Sequence, residues 1–193
     1  MMQLHIFYDK IEVGILKYEP IEDIFSFEYT DNWKIDGFEL SPYMKYDSTI
    51  SNNAIKNFIE NLLPEGKGRE ILTNMYHISK NNIFALIQLI GKDTTGALTF
   101  SQDNKPFKTS FREISNTELA NRIKDRKNKP IVVWDGNVRL SVAGVQDKLP
   151  ITIIDGKFGF SEGELASTHI LKFESNDDNL VLNEYLSLKL ASI

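Results

Sequence analysis

Residues 137–191 read NVRLSVAGVQDKLPITIIDGKFGFSEGELASTHILKFESNDDNLVLNEYLSLKLA, and they predict strands followed by a helix. Two β-branched runs, Asn137–Val142 and Leu149–Ile154, have the composition of strands. The segment between them, Ala143–Lys148, is a short loop with one glycine and a lysine at its end. From the residues alone, this loop is an ordinary strand connection or a phosphate-binding loop.

Two Asp-Gly dipeptides flank this region, at residues 135–136 and 155–156. Asp-Gly favours two-residue hairpin turns, because both central positions of such a turn need positive φ angles. We therefore expect an antiparallel meander of about four strands around the loop.

A fifth strand is predicted at Thr168–Phe173, where alternation puts Ile170 and Lys172 on one face. A lysine within an apolar strand is costly unless its ammonium meets an anion. The next segment, Leu180–Ala191, has helical spacing and contains Glu184. A strand lysine followed by a helix glutamate is the pair that holds nucleotide phosphates in protein kinases.

The upstream residues predict a mixture of short strands and helices. The expected strands are Leu4–Tyr8, Val13–Tyr18, Ile24–Tyr29, Ile35–Leu40 and Thr94–Ser101. The expected helices are Ser51–Leu63, Arg69–Tyr76, Asn81–Ile90 and Ser115–Lys127. The basic run Arg122–Lys129 is either the solvated end of a helix or a docking patch for a partner.

Composition narrows the class of protein. The chain has 193 residues, 41% of them hydrophobic, which fits one globular domain or two small ones. It has no cysteine, so disulfides and thiolate chemistry are excluded, and its three histidines lack metal-ligand spacing. The net charge of −5 argues against direct nucleic-acid binding. Neither a leader nor a long apolar run is evident, so we expect a cytoplasmic protein without membrane contact.

The motifs LSVAGVQDKLPI (140–151), THILKF (168–173) and NEYLSLKLA (183–191) resemble the amino-terminal lobe of the HipA family of bacterial serine/threonine kinase toxins. Upstream, VGIL (13–16), FSFEYT (25–30), ENLLPEG (60–66) and IGKDTTGAL (90–98) are similar to the small domain that precedes this lobe. The resemblance implies an α+β fold, with a HipA-type amino-terminal domain over residues 1–112 and a kinase-like, nucleotide-binding lobe over 113–193.

The resemblance also implies an ATP site. Its expected residues are Ala143, Gly144, Val145, Gln146, Asp147, Lys148, Ile170, Lys172 and Glu184. The loop amides and Lys148 would face the β- and γ-phosphates, and Ile170 would line the adenine pocket. Ser141 occupies the place at which family kinases autophosphorylate, where a phosphate would compete with bound ATP.

Family kinases carry their catalytic and Mg²⁺-holding aspartates in a carboxy-terminal lobe. We therefore expect that this chain alone does not turn over ATP, and that its binding of ATP and Mg²⁺ needs such a lobe. Two interpretations remain open. The chain is the amino-terminal part of a toxin kinase that acts on an aminoacyl-tRNA synthetase and is neutralised with a HipB-like DNA-binding antitoxin. Alternatively, it is a regulatory or antitoxin subunit that binds a separately encoded HipA-like kinase. A nucleotide-binding module unrelated to kinases is a third reading.

Overall fold

The first sheet is built by the amino-terminal half of the chain. In this computed structural model, residues 1–139, 148–163, 165–174 and 179–192 are described. Four antiparallel strands lie in the order β3-β2-β1-β4. Their bounds are β1 (Met2–Tyr8), β2 (Ile11–Glu19), β3 (Ile24–Tyr29) and β4 (Leu98–Ser101). The three predicted amino-terminal strands are confirmed. The strand predicted at Thr94–Ser101 is shorter than expected, since it begins only at Leu98.

Helices cover one face of this sheet. They are α1 (Asp31–Asp36), α2 (Asn52–Leu62), α3 (Gly66–Tyr76) and α4 (Ile83–Leu89). The side chain of Ser51 caps α2 by accepting from the Ala54 amide at 3.2 Å, and Asn82 caps α4 in the same way. Apolar residues of α2 and α4, including Ile55 and Ile87, are fully buried against the sheet, which confirms the predicted helices.

The predicted strand at Ile35–Leu40 is wrong. Residues 31–36 form α1 instead, because Thr30 accepts a hydrogen bond from the Trp33 amide and so starts a helix. The Gly37 amide closes it on the Trp33 carbonyl at 2.7 Å. Trp33 is buried and its indole donates to the Phe38 carbonyl at 2.9 Å. One buried tryptophan therefore outweighs the local alternation of apolar residues.

A second antiparallel sheet lies in the order β10-β8-β9-β5. Its strands are β5 (Ser110–Glu113), β8 (Lys148–Ile154), β9 (Lys157–Glu162) and β10 (His169–Lys172). The Asp155-Gly156 turn between β8 and β9 has φ values of 50° and 75°, so the predicted hairpin is confirmed. Helices α5 (Asn116–Lys124) and α6 (Leu180–Ala191) belong to this half of the chain.

The predicted continuous meander is wrong in one respect. Strands β6 (Val133–Trp134) and β7 (Asn137–Val138) turn at Asp135-Gly136 as expected, but they form a separate two-stranded ribbon. The ribbon is held by long-range contacts: the Tyr76 hydroxyl donates to the Gly136 carbonyl at 3.1 Å, and Arg112 binds Asp135. The rest of the predicted strand 137–142 lies mostly outside the described residues.

Strand β5 was not predicted, because its short polar sequence resembles a surface connection. It pairs along its whole length with β9, at the edge of the second sheet. It also spans residue 112, where the sequence predicts the division between the two domains. That division stays a prediction.

Tyr29 fixes the irregular segment after α1. Its buried hydroxyl donates to the Met44 carbonyl at 2.7 Å and accepts from the Leu40 amide at 2.8 Å. Burial is the main cause that raises the pKa of Tyr29 to about 12. Because the folded state holds this proton more tightly, the stabilising contribution is complete below pH 10 and is lost as the pH rises towards 12.

We expect Tyr29→Phe to lower the free energy of unfolding by about 1–3 kcal/mol at neutral pH, since it leaves a buried amide and a buried carbonyl unpaired. Urea unfolding measures this loss. Between pH 10 and 12 the gap between the two proteins should narrow, because only the parent still has a Tyr29 proton to lose.

Tyr43→Phe is the matched control, since Tyr43 is 79% exposed. If it cost as much stability as Tyr29→Phe, the two buried hydrogen bonds would not be the cause.

Candidate functional site

Lys172 and Glu184 meet as the sequence predicts. Lys172 is the last residue of β10, and Glu184 lies in the first half of α6. The Lys172 ammonium donates to Glu184 Oε1, and both side chains keep partial exposure, 31% and 40%. The carboxylate therefore orients the lysine while leaving its ammonium reachable from solvent.

A second lysine lies on the same face of the sheet. In the register of β8 and β10, Lys148 is directly opposite Lys172. Directly opposed residues of antiparallel strands share a face, and like charges in this position repel each other. Two cationic side chains on one face can both bind an anion that lies between them, so the pair is suited to a phosphate.

Ile170, close to the two lysines, lines a cleft of about 320 Å³. It is two residues before Lys172 and, by strand alternation, lies on the same face. One wall of the cleft is formed by residues 161–163 and 165–167, at and after the end of β9, and the other by residues 92–99 of the first half of the chain. Ile170 supplies apolar surface there, and its role in an adenine pocket stays a prediction.

The wall at residues 92–99 could not be found by local sequence reasoning, because it is 70 residues away from Ile170 in the chain. Its turn is held by the buried Thr94 hydroxyl, which donates to the Leu98 carbonyl. The Thr95 amide donates to the Leu62 carbonyl at 3.2 Å, which ties the turn to the end of α2. The motif IGKDTTGAL at 90–98 was the one available signal.

The remaining predicted site residues lie outside the described part of the chain. They are Ser141, Ala143, Gly144, Val145, Gln146 and Asp147. Their roles as phosphate-binding loop and phosphorylation site stay predictions.

Helix α6 exposes an apolar surface, which we call the α6 surface. Its residues are each about half exposed or more: Leu180, Leu182, Tyr185, Leu186, Leu188 and Leu190. None of the residues described in α6 is buried. The helix nevertheless begins at a defined place, because the Glu174 carboxylate accepts from the Leu180 and Val181 amides at 3.2 and 2.7 Å. Large exposed apolar patches mark surfaces that bind another protein.

Two residues of the basic run at 122–129 contribute to the fold. The Arg122 guanidinium donates to the Pro130 and Val133 carbonyls, each at 2.8 Å, and Arg126 donates to the Glu174 carbonyl at 3.1 Å. Among the described residues there is no group of three or more His, Cys, Asp or Glu side chains that could hold a metal ion. The helices in the described part of the chain are also too short or too polar to cross a membrane.

Comparisons with known proteins agree with these observations. The family described as the HipA N-terminal domain matches residues 4–101, about half of the chain. The chain belongs to the HipA family. This membership confirms the resemblance on which the predicted α+β fold was based.

Individual HipA relatives extend the likeness beyond residue 101. The serine/threonine-protein kinase toxin HipA of Shewanella oneidensis is 41% identical over 193 residues, which is 100% of this chain and 44% of that protein. The putative kinase Y4mE of Sinorhizobium fredii is 29% identical over 182 residues, or 88% of this chain and 42% of its own length. The chain therefore spans less than half the length of these relatives.

A solved structure shows the same architecture. In the complex of Shewanella oneidensis HipA with HipB and its operator DNA, a chain 40% identical to this one superposes with a TM-score of 0.79. The superposition covers 98% of this chain and 44% of that one. The mixed arrangement of helices and antiparallel sheets is thus that of the HipA N-terminal region.

The α6 surface should cause this chain to associate with itself when no partner is present. We expect the double substitution Leu182→Glu and Leu186→Glu, one helical turn apart, to shift the chain towards monomer at high concentration. Size-exclusion chromatography with light scattering measures the change in mass.

Ile21→Glu provides the control, because Ile21 is apolar and 93% exposed but lies in the turn before β3. A parent chain that is monomeric at high concentration would contradict the prediction.

Proposed function

We propose that this chain is the ATP-binding amino-terminal part of a HipA-type serine/threonine kinase toxin. The observation that carries the proposal is the cross-strand pair Lys148 and Lys172, with Glu184 on Lys172, beside a cleft into which Ile170 projects apolar surface. Two opposed ammonium groups next to a cleft that contains apolar surface at Ile170 suit a molecule that has phosphates at one end and a flat base at the other.

Each residue has a separate task in this proposal. Lys172, oriented by Glu184, and Lys148 bind the β- and γ-phosphates together with the backbone amides of residues 143–146. Ile170 and the wall at residues 92–99 enclose the adenine. When bound, ATP supplies the phosphoryl group and Mg²⁺ neutralises its charge, and a carboxy-terminal lobe holds the metal and orients the substrate hydroxyl.

Ser141 is the proposed site of autophosphorylation. It lies two residues before the first residue of the proposed phosphate loop, Ala143. A phosphate there would carry about two negative charges into the region where ATP places its own. The modified protein would therefore bind ATP less well, which is a means of switching the kinase off.

The α6 surface supports two kinds of partner. In the first, the carboxy-terminal lobe of the same kinase covers it and completes the catalytic site. In the second, this chain is a regulatory or antitoxin subunit, and the α6 surface binds a separately encoded HipA-like kinase. A HipB-like antitoxin is a further proposed partner, supported by the complex in which the Shewanella relative was solved.

Mixing experiments separate the two readings. If this chain is part of the kinase, adding a separately produced carboxy-terminal lobe of a HipA relative should produce phosphorylation of a target serine. If the chain is a regulatory subunit, it should instead inhibit a complete HipA-like kinase.

We expect Lys172→Ala to weaken ATP·Mg²⁺ binding at least about tenfold, because it removes a charge-assisted contact to phosphate. Glu184→Gln should have a smaller effect in the same direction, since it leaves the ammonium in place without its orienting charge. Titration calorimetry on this chain, alone and with a carboxy-terminal lobe, measures both.

Lys17→Ala is the matched control, because Lys17 also pairs with a glutamate, Glu28 at 3.0 Å, but in the first sheet. If the parent chain failed to bind ATP in either setting, or if Lys17→Ala weakened binding as much as Lys172→Ala, the proposed site would be wrong.

A further inference from the structure

One buried guanidinium connects the two halves of the chain. Arg139 is 7% exposed, and its Nη1 donates to Asp93 Oδ2 at 3.1 Å while its Nη2 donates to Glu162 Oε1 at 3.2 Å. The Lys92 ammonium donates to the second oxygen of Glu162 at 3.3 Å. We call these four residues the Arg139 cluster.

The carboxylates of the Arg139 cluster belong to opposite walls of the cleft. Asp93 lies in the turn between α4 and β4, and Glu162 is the last residue of β9. Both line the cleft that contains Ile170. Because one rigid guanidinium binds both carboxylates, its width fixes the separation of the two walls at this point.

Arg139 itself is held from other directions. Its guanidinium lies over the Phe160 ring, 5.0 Å from the ring centroid, and its backbone amide donates to the Val132 carbonyl at 2.8 Å. Phe160 belongs to the core of the second sheet. The guanidinium is thus a fixed part of the second half of the chain, to which Asp93 of the first half is attached.

Stability alone does not account for this cluster. Buried ion pairs are often replaceable by apolar residues without loss of stability. Arg139 Nε is buried and finds no hydrogen-bond partner in the part of the chain that the structure describes. Burial raises the pKa of Asp93 although Arg139 is beside it, so the ionised carboxylate destabilises the folded state at neutral pH. An asparagine at position 93 would remove that penalty, but its neutral amide oxygen would accept a weaker hydrogen bond from Arg139 than the carboxylate does.

We propose that Arg139 is a positioning residue, which sets the width of the cleft by holding Asp93 and Glu162 together and thereby sets the affinity for nucleotide. The claim about nucleotide affinity rests on the proposed function, whereas the claim about the width of the cleft does not. The two claims are therefore tested by separate measurements.

The first measurement is the distance between the two halves of the chain without nucleotide. The chain contains no cysteine, so spin labels can be attached at Asn57→Cys on α2 and Asn121→Cys on α5, two exposed positions outside the cleft. We expect Asp93→Asn and Arg139→Lys to broaden the distance distribution measured by pulsed electron paramagnetic resonance.

Asp135→Asn is the matched control. Asp135 is also paired with an arginine, Arg112 at 3.0 Å, but that pair does not line the cleft. The position has a φ of 50°, which asparagine tolerates. This control should leave the distance distribution unchanged.

The second measurement is the dissociation constant for ATP·Mg²⁺. Asp93→Asn should raise it about five- to tenfold, in the usual range for coupling between sites, while the melting temperature stays the same or rises. A residue with a merely structural role would instead lower the melting temperature. The control Asp135→Asn should leave the dissociation constant as it is in the parent.

Three results would overturn the proposal. If Asp93→Asn leaves the distance distribution unchanged, the Arg139 cluster does not set the width of the cleft. If the distribution broadens but the dissociation constant stays the same, the width does not set the affinity. If the parent binds no ATP, the proposed function and the affinity claim fail together, while the distance measurement still decides whether the Arg139 cluster sets the width of the cleft.

Discussion

A positive charge that is almost fully buried needs carboxylates within hydrogen-bond distance, and this requirement at Arg139 determines how the two halves of the chain meet. The two carboxylates come from elements far apart in sequence, a turn of the first half and the end of a strand of the second. Each carboxylate accepts one hydrogen bond from the guanidinium, so both elements are attached to one side chain. Both carboxylates line the cleft beside Ile170.

The candidate phosphate site depends on a different constraint, the register of two strands. Pairing of β8 with β10 places Lys148 opposite Lys172, and the start of α6 brings Glu184 to the second lysine. The register thus brings two cationic side chains to one face of the second sheet, and Glu184 orients one of them.

The α6 surface is unfavourable in the isolated chain, because its apolar side chains are hydrated. A helix that carries Glu184 on one side must present its remaining residues elsewhere, and here they are mostly leucine and exposed. The cost of hydrating that surface is recovered only when another protein surface covers it. The proposed nucleotide-binding residue Glu184 and the α6 surface therefore lie on one helix.

Much of the local structure followed from the sequence. The Asp-Gly turns and the apolar spacing of α2 depend on neighbours a few residues away, and the structure confirms them. The same local reasoning placed Lys172 and Glu184 on adjacent elements, where the structure shows them in contact. It failed at residues 35–40, where burial of Trp33 prevailed, and at β5, which is placed by its pairing with the distant strand β9.

The sequence by itself therefore determined the elements, the turns between them and the family, because these depend on interactions within short segments and on recognisable motifs. Only the tertiary structure decided that β6 and β7 leave the second sheet, that residues 92–99 form a wall of the cleft, and that Arg139 joins the two halves. These features depend on contacts between residues dozens of positions apart. A contact of that kind leaves no periodic pattern in the chain, since each partner is locally an ordinary polar residue of a turn or strand end.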